Sequence, residues 1–120
     1  MIDTVAWRGK GALSVWTNRG FPLYVSGSFT GGFFQNTLGD WNEIDLGVAC
    51  CVNRIRGTGL NNIFAVGQGG LLAHYNGIEW KILDVLDRQV NLHSISVAEN
   101  IMVAVGTIND RAIAIIGRQN

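Results

Sequence analysis

A chain of 120 residues is a one-domain length, enough to bury about two-thirds of the surface its unfolded form exposes. With 48% hydrophobic and 15% charged residues, it is too apolar for a disordered segment and too lightly charged for a coiled coil. Nine basic residues balance nine acidic ones, which argues against the basic face of a dedicated nucleic-acid binder, and no apolar run approaches the roughly 18–20 residues that span a bilayer.

The N-terminal segment Met1–Arg8 (MIDTVAWR) carries no basic head followed by an apolar block. It therefore does not read as a secretory leader, and a cytoplasmic location is expected unless the chain is an excerpt of a longer protein. The chain then repeats one phrase three times, in Val15–Gly27, Ile55–Gly67 and Ile95–Gly106: an apolar residue, a polar turn, and a short apolar strand that stops on glycine. The closing glycines at 27, 67 and 106 recur with a period near forty, which points to stacked β-sheet units. Sixteen glycines against one proline suit tight turns between short strands.

The first unit, residues 12–46, reads as strands at Ala12–Trp16, Leu23–Ser26, Phe29–Gln35 and Trp41–Leu46, with a Leu38-Gly39-Asp40 turn. The second, residues 50–84, has strands at Cys50–Arg56, Asn62–Val66, Leu71–Tyr75 and Glu79–Leu83. Its turns are Gly57-Thr58-Gly59, Gly67–Gly70 and Asn76-Gly77, the last a strong type I′ hairpin signal because both residues tolerate positive φ. The adjacent Cys50 and Cys51 read as two small core-compatible residues, because a bond between neighbours is strained. The third unit, residues 92–117, has Leu92–Val97, Met102–Val105 and Ala112–Ile116, with an Asn109-Asp110 turn. Trp41 and Trp80 mark the fourth strands of the first two units, and the third unit lacks such a strand. Met1–Arg8, with Trp7, is the expected replacement.

The segment NNIFAVGQGGLLAHYNGIEWKIL resembles the blades of β-propellers with repeats of the form D-I-[FY]-A-V-G-x-x-G-x-I-x-H-Y-x-G-x-x-W, and LYVSGSFTGG resembles their L-Y-V-G-G-x-F version. A more distant resemblance is to Asp-box and photosystem-assembly-factor propellers, whose acid-bearing Ser-x-Asp-x-Gly-x-x-Trp turn is replaced here by Asn76 or Gly39. The resemblance implies an all-β propeller with three four-stranded blades per chain, residues 1–8 completing the last. Propellers close with about four to eight blades. Three blades leave two apolar faces and unpaired edges, so a six-bladed ring of two chains is expected, a homodimer closed by exchanged N-terminal strands, with a piece of a longer propeller as the alternative. Ile2, Val5 and Trp7 would then meet Ala112, Ile113 and Ile115 at the closure.

Few residues point to chemistry. Arg54 and Arg56 share one face of an opening strand, and opening strands line a propeller channel, so they are candidates to hold an anion. Trp16 stands where the other units have Arg56 and Ser96, which makes it a candidate to stack on a ligand. Gln68, in a Gly-rich hairpin, completes the candidate ligand-binding set. The carboxylates Glu43, Asp45, Glu79 and Asp84 follow the repeat into outer strands, and His93 is flanked by Ser94 and Ser96 that point away from it. No zinc spacing or phosphate loop is present, so no metal, cofactor or catalytic residue is assigned. The expectation is a non-enzymatic binding or scaffold module whose ligand is a small molecule, a glycan or a protein. Carbohydrate binding in the manner of propeller lectins is the alternative, and hydrolysis a weaker one.

Overall fold

The computed structural model describes residues 14–19, 22–27, 33–37, 40–47 and 51–118. All regular structure among them is β, in three small antiparallel sheets. The first sheet holds β1 (Ser14–Thr17), β2 (Leu23–Ser26), β3 (Phe33–Thr37) and β4 (Asp40–Glu43), paired in that order. The second holds β5 (Val52–Gly59), β6 (Asn62–Gly67), β7 (Leu72–Tyr75) and β8 (Trp80–Ile82), again as a meander. The third holds only β9 (Val90–Ala98), β10 (Ile101–Ile108) and β11 (Arg111–Arg118), with β11 at one edge. The described part of the chain is therefore three sheets and not a closed ring. The expected closing strand at 1–8 lies outside the described residues.

The sheets pack in chain order: β1 and β2 lie against β5, and β5 and β6 against β9. One core sits in each gap. Between the first and second sheets, Tyr24 meets Val52, Ile55, Ile63, Ala65, Leu71 and Ala73. Between the second and third, Val66 and Leu72 meet Val90, Leu92, Ile95, Met102 and Ala104. Strand alternation supplies both, since Phe64 and Val66 face one neighbour while Ile63 and Ala65 face the other.

The glycine that ends the second and third phrases has a steric origin. A β-carbon on Gly67 would overlap the Cys51 carbonyl oxygen, and one on Gly106 would overlap that of Asn91. In both sheets the pairing slips by one residue beside this contact, leaving Asn53 and His93 as the extra residues of equivalent bulges. The Asn53 bulge is used, because its Nδ2 donates to Leu92 O of the third sheet at 2.8 Å.

Several boundaries and turns differ from expectation. Strand β5 runs on through Gly57-Thr58-Gly59, because a second bulge absorbs these residues into the ladder with β6. The strands of the third sheet are eight or nine residues long, longer than the apolar runs that signal them, because polar and charged residues extend the pairing to Arg111 and Arg118. Asn76-Gly77 is not a type I′ turn: only Gly77 has positive φ, at 99°. Asn76 acts through its side chain, whose Oδ1 accepts from Ile78 N at 2.8 Å and Glu79 N at 3.0 Å. Two successive positive φ values occur instead at Asn109 and Asp110, 48° and 65°, between β10 and β11. Cys51 is not a free core thiol; it is buried and disulfide-bonded, and the only other cysteine of the sequence is Cys50.

Candidate functional site

The pairing registers align the three sheets residue by residue. Ser14 and Trp16 of β1 stand opposite Ser26 and Tyr24, Arg54 and Arg56 of β5 opposite Val66 and Phe64, and Ser94 and Ser96 of β9 opposite Val105 and Val103. Directly opposed residues share a face, so these are the same positions of the repeat, on the side turned to the following sheet. Three of the six opening-strand positions are serine besides the two arginines and Trp16. The repeat can be built with a small neutral residue there, and the two guanidiniums are a departure specific to the central sheet.

Their surroundings are short of negative charge. Arg56 Nη1 donates to Ile55 O at 2.7 Å, to Val15 O at 3.4 Å and to Ser14 Oγ at 3.4 Å, all neutral acceptors. The Nε of Arg54 is buried and has no hydrogen-bond partner among the described residues. Partial burial, and then the adjacent Arg54 charge, hold the Arg56 guanidinium below its ordinary pKa. Two like charges on one strand face, with a buried donor left over, form a site that an anion would complete.

Trp16 and Gln68, the other expected ligand contacts, lie elsewhere. Trp16 is half-buried between the first two sheets, its ring 6.0 Å from Tyr24 and packed over Gly57. Gln68 is exposed in the turn after β6, where its backbone N donates to Cys51 O at 3.3 Å. The structure thus brings Arg54 and Arg56 together but joins neither to Trp16 nor Gln68 by any hydrogen bond.

Of the expected closure residues, Ile113 and Ile115 turn inward and pack on the core shared with the second sheet, while Ala112 is exposed. Ile2, Val5 and Trp7 lie outside the described residues.

A second polar cluster was not legible beforehand. Asn62 Nδ2 donates to Thr58 Oγ1 at 2.8 Å, which leaves its Oδ1 to accept from His74 Nε2 at 2.8 Å. The His74 ring stacks on Phe64 at 4.6 Å, and burial lowers its pKa below the ordinary value. This cluster lines one side of a cavity of about 1010 Å³ between the second and third sheets, which also touches Leu72, Met102, Ile115 and Gly117. His74 falls on the histidine of the H-Y pair in the repeat pattern, whereas its partner Asn62 is set by the β6–β7 register and has no sequence signature.

The carboxylates do not converge. Glu43 ends β4, Glu79 precedes β8, Asp45 and Asp84 follow those strands, and all four are exposed. His93 is exposed, with Nε2 3.5 Å from Thr107 Oγ1. Among the described residues no group of three or more His, Cys, Asp or Glu is placed to hold a metal, and no helix is long and apolar enough to cross a membrane.

No known family model, curated protein or solved structure matches the chain.

Proposed function

We propose that the chain is a non-enzymatic binding module, assembled from two copies as a six-bladed β-propeller, whose ligand is a small anion held by Arg54 and Arg56. The observation that carries the ligand class is the pair itself. Both guanidiniums occupy positions filled by serine in the third sheet, have no carboxylate partner among the described residues, and leave the buried Arg54 Nε without an acceptor. On an opening strand of a propeller, two copies would present four guanidiniums to one channel.

The ring reading is supported by exposure at the two ends of the stack. Val15 in the first sheet is 54% exposed and Val105 in the third 46%, whereas their equivalents inside the stack, Ile55 and Val66, are both at 0%. The repeat buries these positions wherever a neighbouring sheet is present. A copy of the first sheet fits the uncovered face of the third by the same contacts that join the first to the second and the second to the third.

Carbohydrate binding gains less support. Lectin sites use open aromatic faces, and Trp16, Tyr24, Tyr75 and Trp80 are packed on one another, with none fully exposed. Calorimetric titration with inorganic phosphate and sulfate tests the proposal, alongside light scattering for a species of twice 13.0 kDa. Binding by the parent that survives in an Arg54→Ser/Arg56→Ser double variant, or no anion binding by the parent, overturns the site.

A further inference from the structure

We infer that the cavity between the second and third sheets is the seat of a fourth strand for the third sheet, formed by Ile2–Trp7 of a second copy, with Ile2 opposite Gly117. The inference rests on the two-chain ring and specifies its junction.

The seat is defined by comparing the three sheets. In the first, Asn36 pairs with Leu23 on one side and Trp41 on the other; in the second, Tyr75 pairs with Ile63 and Trp80. The equivalent residue of the third sheet is Gly117, which pairs with Met102 and has no strand on its outer side among the described residues. In the second sheet Trp80 fills this place, its ring 5.3 Å from Tyr75 and 6.3 Å from Tyr24 across the gap. The cavity in that gap is about 470 Å³, against about 1010 Å³ between the second and third sheets. The larger one is lined by Gly117, Ile115 and Met102 on one side and by Phe64, the equivalent of Tyr24, on the other. It is the volume left where an outer strand is lacking. Edge β11, eight residues long, is paired with β10 on one side only, and the backbone groups on its outer side have no strand partner among the described residues, which an added strand would satisfy.

The occupant follows from spacing in the sequence. Trp41 precedes the core residue Ile55, and Trp80 precedes Ile95, by nearly the interval that separates Ile2 from Val15. Counted from this origin, Val5 falls where Ile44 and Leu83 fall, and Trp7 where Leu46 falls. Ile44 and Leu46 pack into the core between their own sheet and the next, as do Leu83 and Leu86 one sheet later. Val5 and Trp7 therefore take the corresponding place over the uncovered face of the third sheet, which carries Val103, Val105 and the 55% exposed Ile116. Trp7, the conspicuous residue of the segment, is thus an inter-sheet plug and not the counterpart of Trp80. The segment leads directly into β1, so the third sheet it completes must adjoin its own first sheet. Within one chain the second sheet stands between the first and the third, so that third sheet belongs to the other copy.

The test places the photo-crosslinking residue benzoylphenylalanine at position 2 of the full chain and maps the products by mass spectrometry. The expected product is a covalent dimer joined at Met102, Ile115 or Gly117. Crosslinks to those residues within one chain overturn the assignment to a second copy, and crosslinks elsewhere overturn the seat. Light scattering separates this inference from the ring: a dimer crosslinked elsewhere leaves the ring standing and removes the seat, whereas a monomer crosslinked to Gly117 removes the ring and the second copy and keeps only the seat. As a second variant, Gly117→Trp fills the seat from β11 and is expected to give a folded 13.0 kDa species. If it stays dimeric with unchanged crosslinks, the register is wrong.

Discussion

Gly67 faces the carbonyl oxygen of Cys51 so closely that no β-carbon fits between them, and Gly106 stands in the same relation to Asn91. This is why the second and third phrases stop on glycine: the bulge in the opening strand swings a carbonyl over the end of the second strand. Gly67→Ala or Gly106→Ala must push backbone away from backbone, and each is expected to cost about 3 kcal/mol. Urea denaturation of the two variants checks this, with Gly69→Ala as a comparison where no neighbour is within 4 Å and only the positive φ of 69° matters. A loss at Gly67 no larger than at Gly69 would contradict the steric account.

Ser26 is fully buried and its Oγ has no hydrogen-bond partner among the described residues, while its equivalents in the other sheets are Val66 and Val105. A buried hydroxyl without a partner keeps its desolvation cost. Ser26→Ala is expected to raise stability by about 1 kcal/mol, read from the same denaturation curves. A loss of stability would show that the hydroxyl is satisfied in solution.

His74 ties stability to pH. Its folded pKa lies below the unfolded value of about 6.5 because burial disfavours the imidazolium, and it donates from Nε2 to Asn62. The unfolded chain takes up the proton first as pH falls. The stability contributed by neutral His74 is therefore complete above the unfolded pKa and is lost as pH drops from there towards the folded pKa. Denaturation midpoints at pH 7.5 and 5.5 should fall for the parent, and fall less for His74→Phe. An NMR titration placing His74 at or above 6.5 would refute the assignment.

The same logic runs in the opposite direction at Tyr24, whose pKa is pushed up to about 12 by burial and, secondarily, by Tyr75. Its stabilising effect is present below the unfolded pKa of about 10 and is lost as pH rises through the interval to about 12. The ultraviolet absorbance of tyrosinate should show one tyrosine that ionises only with alkaline unfolding. Two tyrosines titrating together near pH 10 in folded protein would rule this out.

Exchange of Arg54 and Arg56 for serine copies the third sheet into the second, so it should leave folding intact. Removal of two unpaired like charges is expected to raise the thermal midpoint slightly while abolishing phosphate and sulfate binding. Circular dichroism and calorimetry on the same sample check both halves.

Much of the fold was legible in the sequence. The repeated Val15–Gly27, Ile55–Gly67 and Ile95–Gly106 phrases located six strands, the opening and second strand of each sheet. Local chemistry was enough because period-two alternation and glycine at a forced close approach are written in consecutive residues. What local chemistry could not state is how strands add to strands. The Asn62–His74 hydrogen bond, the extension of β5 through two bulges and the equivalence of Gly117 with Tyr75 all depend on register, which is set by the summed pairing of whole strands. The candidate site divides in the same way. That Arg54 and Arg56 share a face is local; that neither meets a carboxylate, and that Arg54 Nε is buried with no acceptor, among the described residues, was decided by packing against the neighbouring sheets. The sequence by itself determined an all-β chain whose strands fall into three small sheets, because side-chain alternation and turn chemistry act over a few residues. Only the tertiary structure decided which repeat positions are covered and which stand open, because burial is a property of neighbours brought together from about forty residues away.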